Sequence, residues 1–389
     1  MARKGKAVVS GLDIGTSGMV TAVPGVERAL DLPVGIGRCP SLGIRKGLVV
    51  DHEAAARSIR RAVDAAAEAA GVRIDTVCAG FSGYGINVIR RRADITLRRT
   101  IMPGDINHLL NLARRVELPA GRQVLHVVPV DFILDGVPGI KNPLGKPAVH
   151  LGVAACVLTV DSRLVGQLLL ALKCAGVRVA ELCLNSLAAG EAVLKGVEKE
   201  LGVALVDLGG GTTGVTLFCD GGFWDQEVLP VGGEHITSDL AIGLRVSLAM
   251  AGEIKHRAGL SAGPEKVKLP GQQPVAAHEI AEIIQLRVQE ILDIVKQTIL
   301  RLSAGRTLTA GVVLTGGGVL LEGLPEMASR VLDMPVRVGV PDCPPPWNSP
   351  DLAASWGLAA YARRLRFSVP CGAAGAADSE PERKSVFRK

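Results

Sequence analysis

Asp207-Leu-Gly-Gly-Gly-Thr-Thr213 sets a carboxylate, three consecutive glycines and two hydroxyls after an apolar run, Val203 to Leu208. Successive glycines let backbone N–H groups approach a phosphate with no Cβ in the way. A carboxylate at the end of a buried strand is costly unless it holds a cation or accepts hydrogen bonds. The chemistry suggested is capture of a phosphate by Gly209, Gly210, Gly211, Thr212 and Thr213, with Asp207 toward its metal. Taken alone, the segment serves equally well as a tight hairpin capped by an aspartate.

A second copy changes the reading. Ala7 to Ala22 repeats the plan: apolar strand, Asp13, Gly15-Thr16-Ser17-Gly18, apolar strand. Two such hairpins far apart predict two similar domains facing each other across a nucleotide. A third glycine run, Thr315-Gly-Gly-Gly318, follows another apolar strand and precedes a helical pattern. No P-loop pattern Gly-x4-Gly-Lys-Ser/Thr occurs. The glycines also lie between strands, unlike the strand-to-helix turn of dinucleotide folds.

The elements that must hold these turns read as a mixed α/β chain. Gly43 to Asp51 is expected as one strand, and His52 to Ala70 as a helix ending at Gly71. Ile74 to Phe81 is a strand. From Tyr84 to about Val160 the pattern is strand–helix–strand–strand, with an arginine cluster (Arg90, Arg91, Arg92, Arg98, Arg99) and Asp105 as helix N-cap. Near-absence of aromatic residues there favours a solvated or partner-facing sheet edge over nucleic acid. Asp161 opens a helix, Val177 to Leu184 is a strand, and Asn185 starts a helix to about Glu200. Residues 263–274 read as a surface loop or short hairpin. Ala277 to Ser303 carries a long helical apolar stripe, and Asp351 to Arg366 closes the fold.

At 389 residues the chain has room for two or more domains, and a hydrophobic fraction of 48% fills their cores. A net charge of +6 is mild for this length and does not mark a nucleic-acid binder. The eight cysteines contain no Cys-x-x-Cys pair, so they read as reduced core residues of a cytosolic protein. No secretory leader and no membrane-spanning run is expected.

The order Asp-x-Gly-Thr-Ser, Asp-x-Gly-Gly-Gly-Thr-Thr, Thr-Gly-Gly-Gly resembles the actin/Hsp70/sugar-kinase ATPase superfamily. Within it, the insert carrying Gly139-Ile-Lys-Asn-Pro-Leu-Gly145 is similar to the extra subdomain of the bacterial cell-division protein FtsA family. The segments Gly232-Gly-x-x-Ile-Thr-Ser-Asp239 and Pro350-Asp-Leu-Ala-Ala-Ser-Trp-Gly-Leu358 match it too. The resemblance implies an actin-like (ribonuclease-H-like) two-domain fold. It divides the chain into 1–83, a first domain core; 84–160, the FtsA-type (SHS2-like) insert; 161–200, the return; 201–366, the second domain; and 367–389, a disordered tail. It implies ATP and Mg²⁺ as ligands. Gly15, Thr16 and Ser17 form the first phosphate loop and Gly209 to Thr213 the second. Asp13 and Asp207 orient Mg²⁺ through water. Gly316, Gly317 and Gly318 pass under the adenosine, and Gly232, Gly233 and Lys255 complete its ribose and adenine side.

As implied partners, the C-terminal peptide of FtsZ docks on 236–306, where Arg257, Lys266 and Lys268 lie, and copies of the chain form dimers or filaments. The tail binds the inner face of the cytoplasmic membrane at the division site. Three departures bear on this. Gly252 stands where relatives carry a ribose-binding Glu, with Glu253 beside it. Asn185 stands at the water-orienting position, which predicts slow hydrolysis because an amide is a poor base. The tail offers only Val386 and Phe387 among Arg383, Lys384, Arg388 and Lys389, burial of which gives ~4 kcal/mol before ordering costs, so its membrane grip is weak. An actin-like ATPase of pilus or secretion assembly and a small-molecule kinase are the alternative readings.

Overall fold

β1 (Ala7–Ile14) carries an apolar run into Asp13, turns, and returns as β2 (Gly18–Pro24), with β3 (Pro33–Pro40) antiparallel beside it. The computed structural model describes residues 7–25, 33–260, 266–267, 275–343, 345 and 347–367. The strand expected over 43–51 is instead a small hairpin, β4 (Ile44–Arg45) and β5 (Leu48–Val49). Lys46 and Gly47 take φ of 49° and 72°. A two-residue reversal of the I′ type needs positive φ at both positions, and a lysine there gave no signal.

α1 (His52–Ala70) begins at Asp51, whose carboxylate accepts from the N–H groups of Glu53 and Ala54, and ends at left-handed Gly71. Its inner stripe is Ala55, Ile59, Ala62, Val63 and Ala66, all fully buried. Small residues let it lie almost on the sheet: a Cβ at Gly37 would stand 2.1 Å from Ala62 O. β6 (Arg73–Phe81) then runs parallel to β1.

The insert follows as β7 (Asn87–Thr100), α2 (Pro103–Ala113), β8 (Arg122–Leu134), β9 (Val137–Ile140) and β10 (Pro147–Asp161). Its sheet has the order β7-β10-β8-β9, and Ile101, Leu109, Phe132, Leu151 and Val153 form its own core. Asp105 is not the N-cap of α2, as expected, but its third residue; Met102 caps. The Asp105 carboxylate reaches back to the Met102 N–H at 2.8 Å and takes Arg99 at 2.7 Å on each oxygen. Proline at the first turn, which needs no N–H there, moved the boundary.

The chain returns through α3 (Ser162–Cys174), β11 (Arg178–Leu184), α4 (Asn185–Val193) and α5 (Gly196–Leu201). One helix was expected over 185–200. Leu194 is extended, and the Glu198 carboxylate restarts the helix by accepting from the Lys195 N–H at 2.7 Å.

The second half runs β12 (Val203–Leu208), β13 (Thr213–Cys219), β14 (Gly222–Leu229), α6 (Gly233–Leu244), α7 (Leu248–Ala258), β15 (Lys266–Val267), β16 (Val275–Ala276), α8 (Ala277–Ser303), β17 (Val312–Thr315), α9 (Leu324–Leu332), β18 (Val336–Val338) and α10 (Ala353–Phe367). The two large sheets have the same plan. In β3-β2-β1-β6-β11 and β14-β13-β12-β17-β18, an antiparallel hairpin is followed by parallel strands. Each hairpin strand buries a full apolar row, including Leu12 in one core and Leu208 in the other, at roughly 1.5–3 kcal/mol per large side chain. α10 crosses back onto the first half. A Cβ at Gly357 would lie 1.8 Å from Ala188 O, and one at Gly11 2.3 Å from Ala359 N.

Most of the 263–274 loop, Lys268 and the tail lie outside the described residues. The cysteines that are described are free thiols, with Cys39, Cys78, Cys156, Cys183 and Cys219 buried. Among the described residues, no helix is long and apolar enough to cross a membrane.

Candidate functional site

Strand register builds the site. Asp13 on β1 pairs with Val20 on β2, and Val20 pairs with Arg38 on β3. Directly opposed residues share a sheet face, so one row carries a carboxylate, a spacer and a guanidinium. In the second sheet Asp207 pairs with Gly214, and Gly214 with Val228. All six residues line one cavity of about 450 Å³ between the two halves. The repeated hairpins therefore do what their spacing predicts, bringing Asp13 and Asp207 to a shared space.

Both carboxylates are half-buried on the cavity wall. Burial, then the facing Asp207 charge, lifts Asp13 to about 7, against the pull of Asn185. Burial alone lifts Asp207 to about 6. Carboxylates this poorly solvated at neutral pH favour a cation between them. No cluster of three or more His, Cys, Asp or Glu able to hold a metal occurs among the described residues. Two carboxylates therefore fit a cation that keeps most of its water, which is the habit of Mg²⁺.

Asn185 opens α4 and donates its Nδ2 to Asp13 Oδ1 at 2.6 Å. Its Oδ1 is sealed and has no hydrogen-bond partner among the described residues. A Cβ at Gly80 would stand 1.8 Å from that oxygen, so the amide is wedged between Gly80 and Asp13. Asn185 thus holds Asp13 from the cavity wall.

The two glycine turns interlock. A Cβ on Gly210 would meet Ser17 Oγ at 1.8 Å, and one on Gly211 would meet Thr16 Oγ1 at 2.5 Å. Ser17 Oγ also donates to Glu234 Oε1 at 3.0 Å, while Thr16 Oγ1 accepts from the Gly47 N–H at 2.9 Å. The unexpected β4–β5 hairpin is thus a support for the first turn. Gly232 is equally confined, its absent Cβ 2.5 Å from Gly209 O. The N–H groups of Gly233 and Glu234 donate to the Gly209 and Gly210 carbonyls at 3.0 and 2.8 Å.

Of the residues read from the sequence, Asp13, Gly15, Thr16, Ser17, Asn185, Asp207, Gly209, Gly210, Thr212, Gly316 and Gly317 line the cavity. Gly211, Thr213, Gly232, Gly233, Lys255 and Gly318 stand behind this wall. Thr213, read as a second hydroxyl donor, gives its proton to Val231 O at 2.8 Å. Lys255 Nζ donates to Gly233 O at 3.1 Å and Thr237 Oγ1 at 2.9 Å, and burial lowers its pKa. Gly318 packs on Leu208, whose Cδ2 would be 2.3 Å from an added Cβ. Gly316, with φ 88°, passes Asp207 so closely that a Cβ would be 2.4 Å from its Oδ1.

Sequence reasoning missed Arg38, Asp351, Ser186 and Glu234. Arg38 and Asp351, both on the cavity, form an ion pair. No local motif marks Arg38, and Asp351 lies in the Pro350 to Leu358 segment with no site role read from it. The register Asp13–Val20–Arg38 marks Arg38, and it requires the strands to be paired first.

The family profile for cell division protein FtsA matches residues 204–357, and that for the SHS2 domain inserted in FtsA matches 83–159. The cell division protein FtsA of Pseudomonas aeruginosa is 37% identical over 351 residues, 87% of this chain and 84% of the relative. That of Escherichia coli K12 is 32% identical over 356 residues, 86% of this chain and 84% of the relative. Among solved structures, a PilM-PilN type IV pilus biogenesis complex superposes with a TM-score of 0.65 at 19% identity, covering 91% of this chain and 98% of that one. MreB5 of Spiroplasma citri bound to ADP gives 0.55 at 14%, covering 92% and 97%. The shared fold is actin-like, and sequence identity over most of both lengths decides the family within it: the chain belongs to the cell division protein FtsA family.

Proposed function

We propose that the chain binds ATP with Mg²⁺ in the cavity between its halves. In that state it associates with further copies and links FtsZ to the inner face of the cytoplasmic membrane at the division site. The observation that carries the nucleotide reading is the pairing of two half-buried aspartates, Asp13 and Asp207, at the ends of two interlocked glycine hairpins on one cavity. A triphosphate and its hydrated metal match both the charge and the backbone-lined space.

Each residue has a role in this reading. Gly15, Thr16 and Ser17 with Gly209, Gly210 and Thr212 bind the phosphates. Gly211, Thr213 and Gly318 fix the turns from behind. Gly316 and Gly317 bound the nucleoside end, with Gly232, Gly233 and Lys255 behind the second hairpin. Asp13 and Asp207 hold the metal's water shell, and Asn185 keeps Asp13 ionised and aimed. The Mg²⁺, when bound, neutralises phosphate charge. Asn185, at the family's water-orienting position, is a poor base, so nucleotide acts chiefly as a conformational ligand and hydrolysis is slow.

The working parts in this proposal are 1–83 with 161–200, the insert 84–160, the second domain 201–366, and the tail 367–389. The FtsZ C-terminal peptide docks within 236–306, and the tail supplies a weak membrane contact that assembly multiplies.

The test is flotation with anionic liposomes and a labelled FtsZ C-terminal peptide, with and without Mg-ATP. Peptide floating only with the chain, more so with Mg-ATP, and lost on deleting 371–389 is the expected result. Peptide that stays at the bottom under all conditions contradicts the linkage.

A further inference from the structure

We propose that Arg38 contacts the terminal phosphate and so lets the cavity distinguish a nucleoside triphosphate from a diphosphate. This rests on the nucleotide reading above and adds a residue to it.

Among the described residues lining the cavity, Asp13, Asp207 and Asp351 are acids and Arg38 is the one cation. Three negative side chains against one positive make a poor host for a polyanion. A divalent cation compensates at Asp13 and Asp207. Arg38 is the remaining fixed positive charge on the wall, and guanidinium binds phosphate oxygens in a two-pronged fit.

Position adds to charge. Arg38 lies in the same cross-strand row as Asp13, two strands outward. Strand spacing sets the separation of the two backbones at roughly 10 Å. The glycine turns take the inner phosphates in this reading. Arg38 stands to one side of them in the sheet, so in this reading it is reached by a phosphate that extends past the turns.

The guanidinium is also held ready. Asp351 Oδ2 accepts from Arg38 Nη1, and Asp351 Oδ1 accepts from the Ser349 hydroxyl. One edge of the fork is thereby fixed. Arginine has five N–H donors, and the Arg38 side chain is 52% exposed, so donors remain for a ligand. The turn bearing Asp351 is tied to the second half, where Pro350 O accepts from Gly316 N and Thr315 Oγ1, each at 3.0 Å. Arg38 therefore bridges the two halves across the cavity. Its contact with the last phosphate ties the relative setting of the halves to the presence of that phosphate.

The experiment is titration calorimetry of the full chain with Mg²⁺ and either a non-hydrolysable ATP analogue or ADP, in wild type, Arg38→Ala, Arg38→Gln and Arg38→Lys. The glutamine variant keeps side-chain bulk should alanine fail to fold, and melting curves check each protein. The expected result is a loss of roughly tenfold or more in triphosphate affinity in the alanine and glutamine variants, the scale of a charge-assisted hydrogen bond, with ADP affinity within about twofold. Lysine restores part of the loss. An equal loss for both nucleotides, or none for either, overturns the assignment. If the wild-type chain binds neither nucleotide, the nucleotide reading itself fails, and this inference with it.

Discussion

The guanidinium of Arg90, on the insert, lies 4.3 Å from the centre of the Trp224 ring on β14, and Arg306 lies 3.8 Å from the same ring. Arg90 also donates to Trp224 O at 3.1 Å, and the Trp224 Nε1–H donates to Leu302 O at 3.1 Å. An arginine that reads in the sequence as part of a solvated basic cluster is therefore a joint between the insert and the second half. Cation–π contacts contribute about 0.5–2 kcal/mol each. Arg90→Ala should lower unfolding free energy by roughly 1–2 kcal/mol and shift Trp224 emission. Denaturant melts followed by tryptophan fluorescence check both; an unchanged midpoint counts against the joint.

Asn185→Ala removes the donor that pulls the Asp13 pKa down. The pKa of Asp13 then rises further, so ionising it for the metal requires a higher pH. The pH midpoint of Mg-dependent nucleotide affinity should move upward in this variant. Titrations across pH 5.5–8.5 read it directly, and superimposable profiles contradict the positioning role.

Asp13 and Asp207 should each contribute stability to the metal-free protein that is lost as pH rises from about 4 to about 7. Asp13 and Asp207 have folded-state values of about 7 and 6, above the ordinary 3.8. At these two groups the folded state holds more protons than the unfolded one over that window, so raising pH costs their share of stability, while His126, held down to about 4 by burial, acts in the opposite sense. Asp207→Asn should flatten the slope, because one buried proton acceptor is gone. Thermal melts in a pH series, read as the difference between variant and wild type, provide the comparison, and a variant with the wild-type slope rejects the burial account.

Gly316→Ala should destabilise the fold by roughly 1–3 kcal/mol, the cost of a side chain in a strained backbone region. φ there is 88°, and the new methyl would press on Asp207 Oδ1. Nucleotide affinity should fall with it, since Asp207 must move. An alanine variant with wild-type melting and wild-type affinity refutes the close approach.

How much of this the sequence disclosed depends on the range of the interaction. Asp13 and Asp207 were legible because each ends an apolar strand and is followed by its own glycines, a pattern complete within about eight residues. The helix over Ala277–Ser303 was legible because its apolar stripe is local, and that over His52–Ala70 because it is alanine-rich with few breakers. Asp105 was misplaced by three positions because proline and a charge partner, Arg99, set the helix start. The Lys46–Gly47 reversal was missed because lysine seldom takes positive φ. Arg38 and Asp351 lie 313 residues apart in sequence, so no window holds both. Asn185 was found, but the direction of its amide depends on Gly80, which only the packed strands reveal.

The central claim is that Asp13 and Asp207 close around one metal–nucleotide unit. Calorimetric titration of the full chain with Mg-ATP, beside Asp207→Ala confirmed as folded by circular dichroism, tests it most directly. The account predicts one saturable site in the wild type and its loss in the variant. Equal binding by both proteins, or no heat from either, contradicts it.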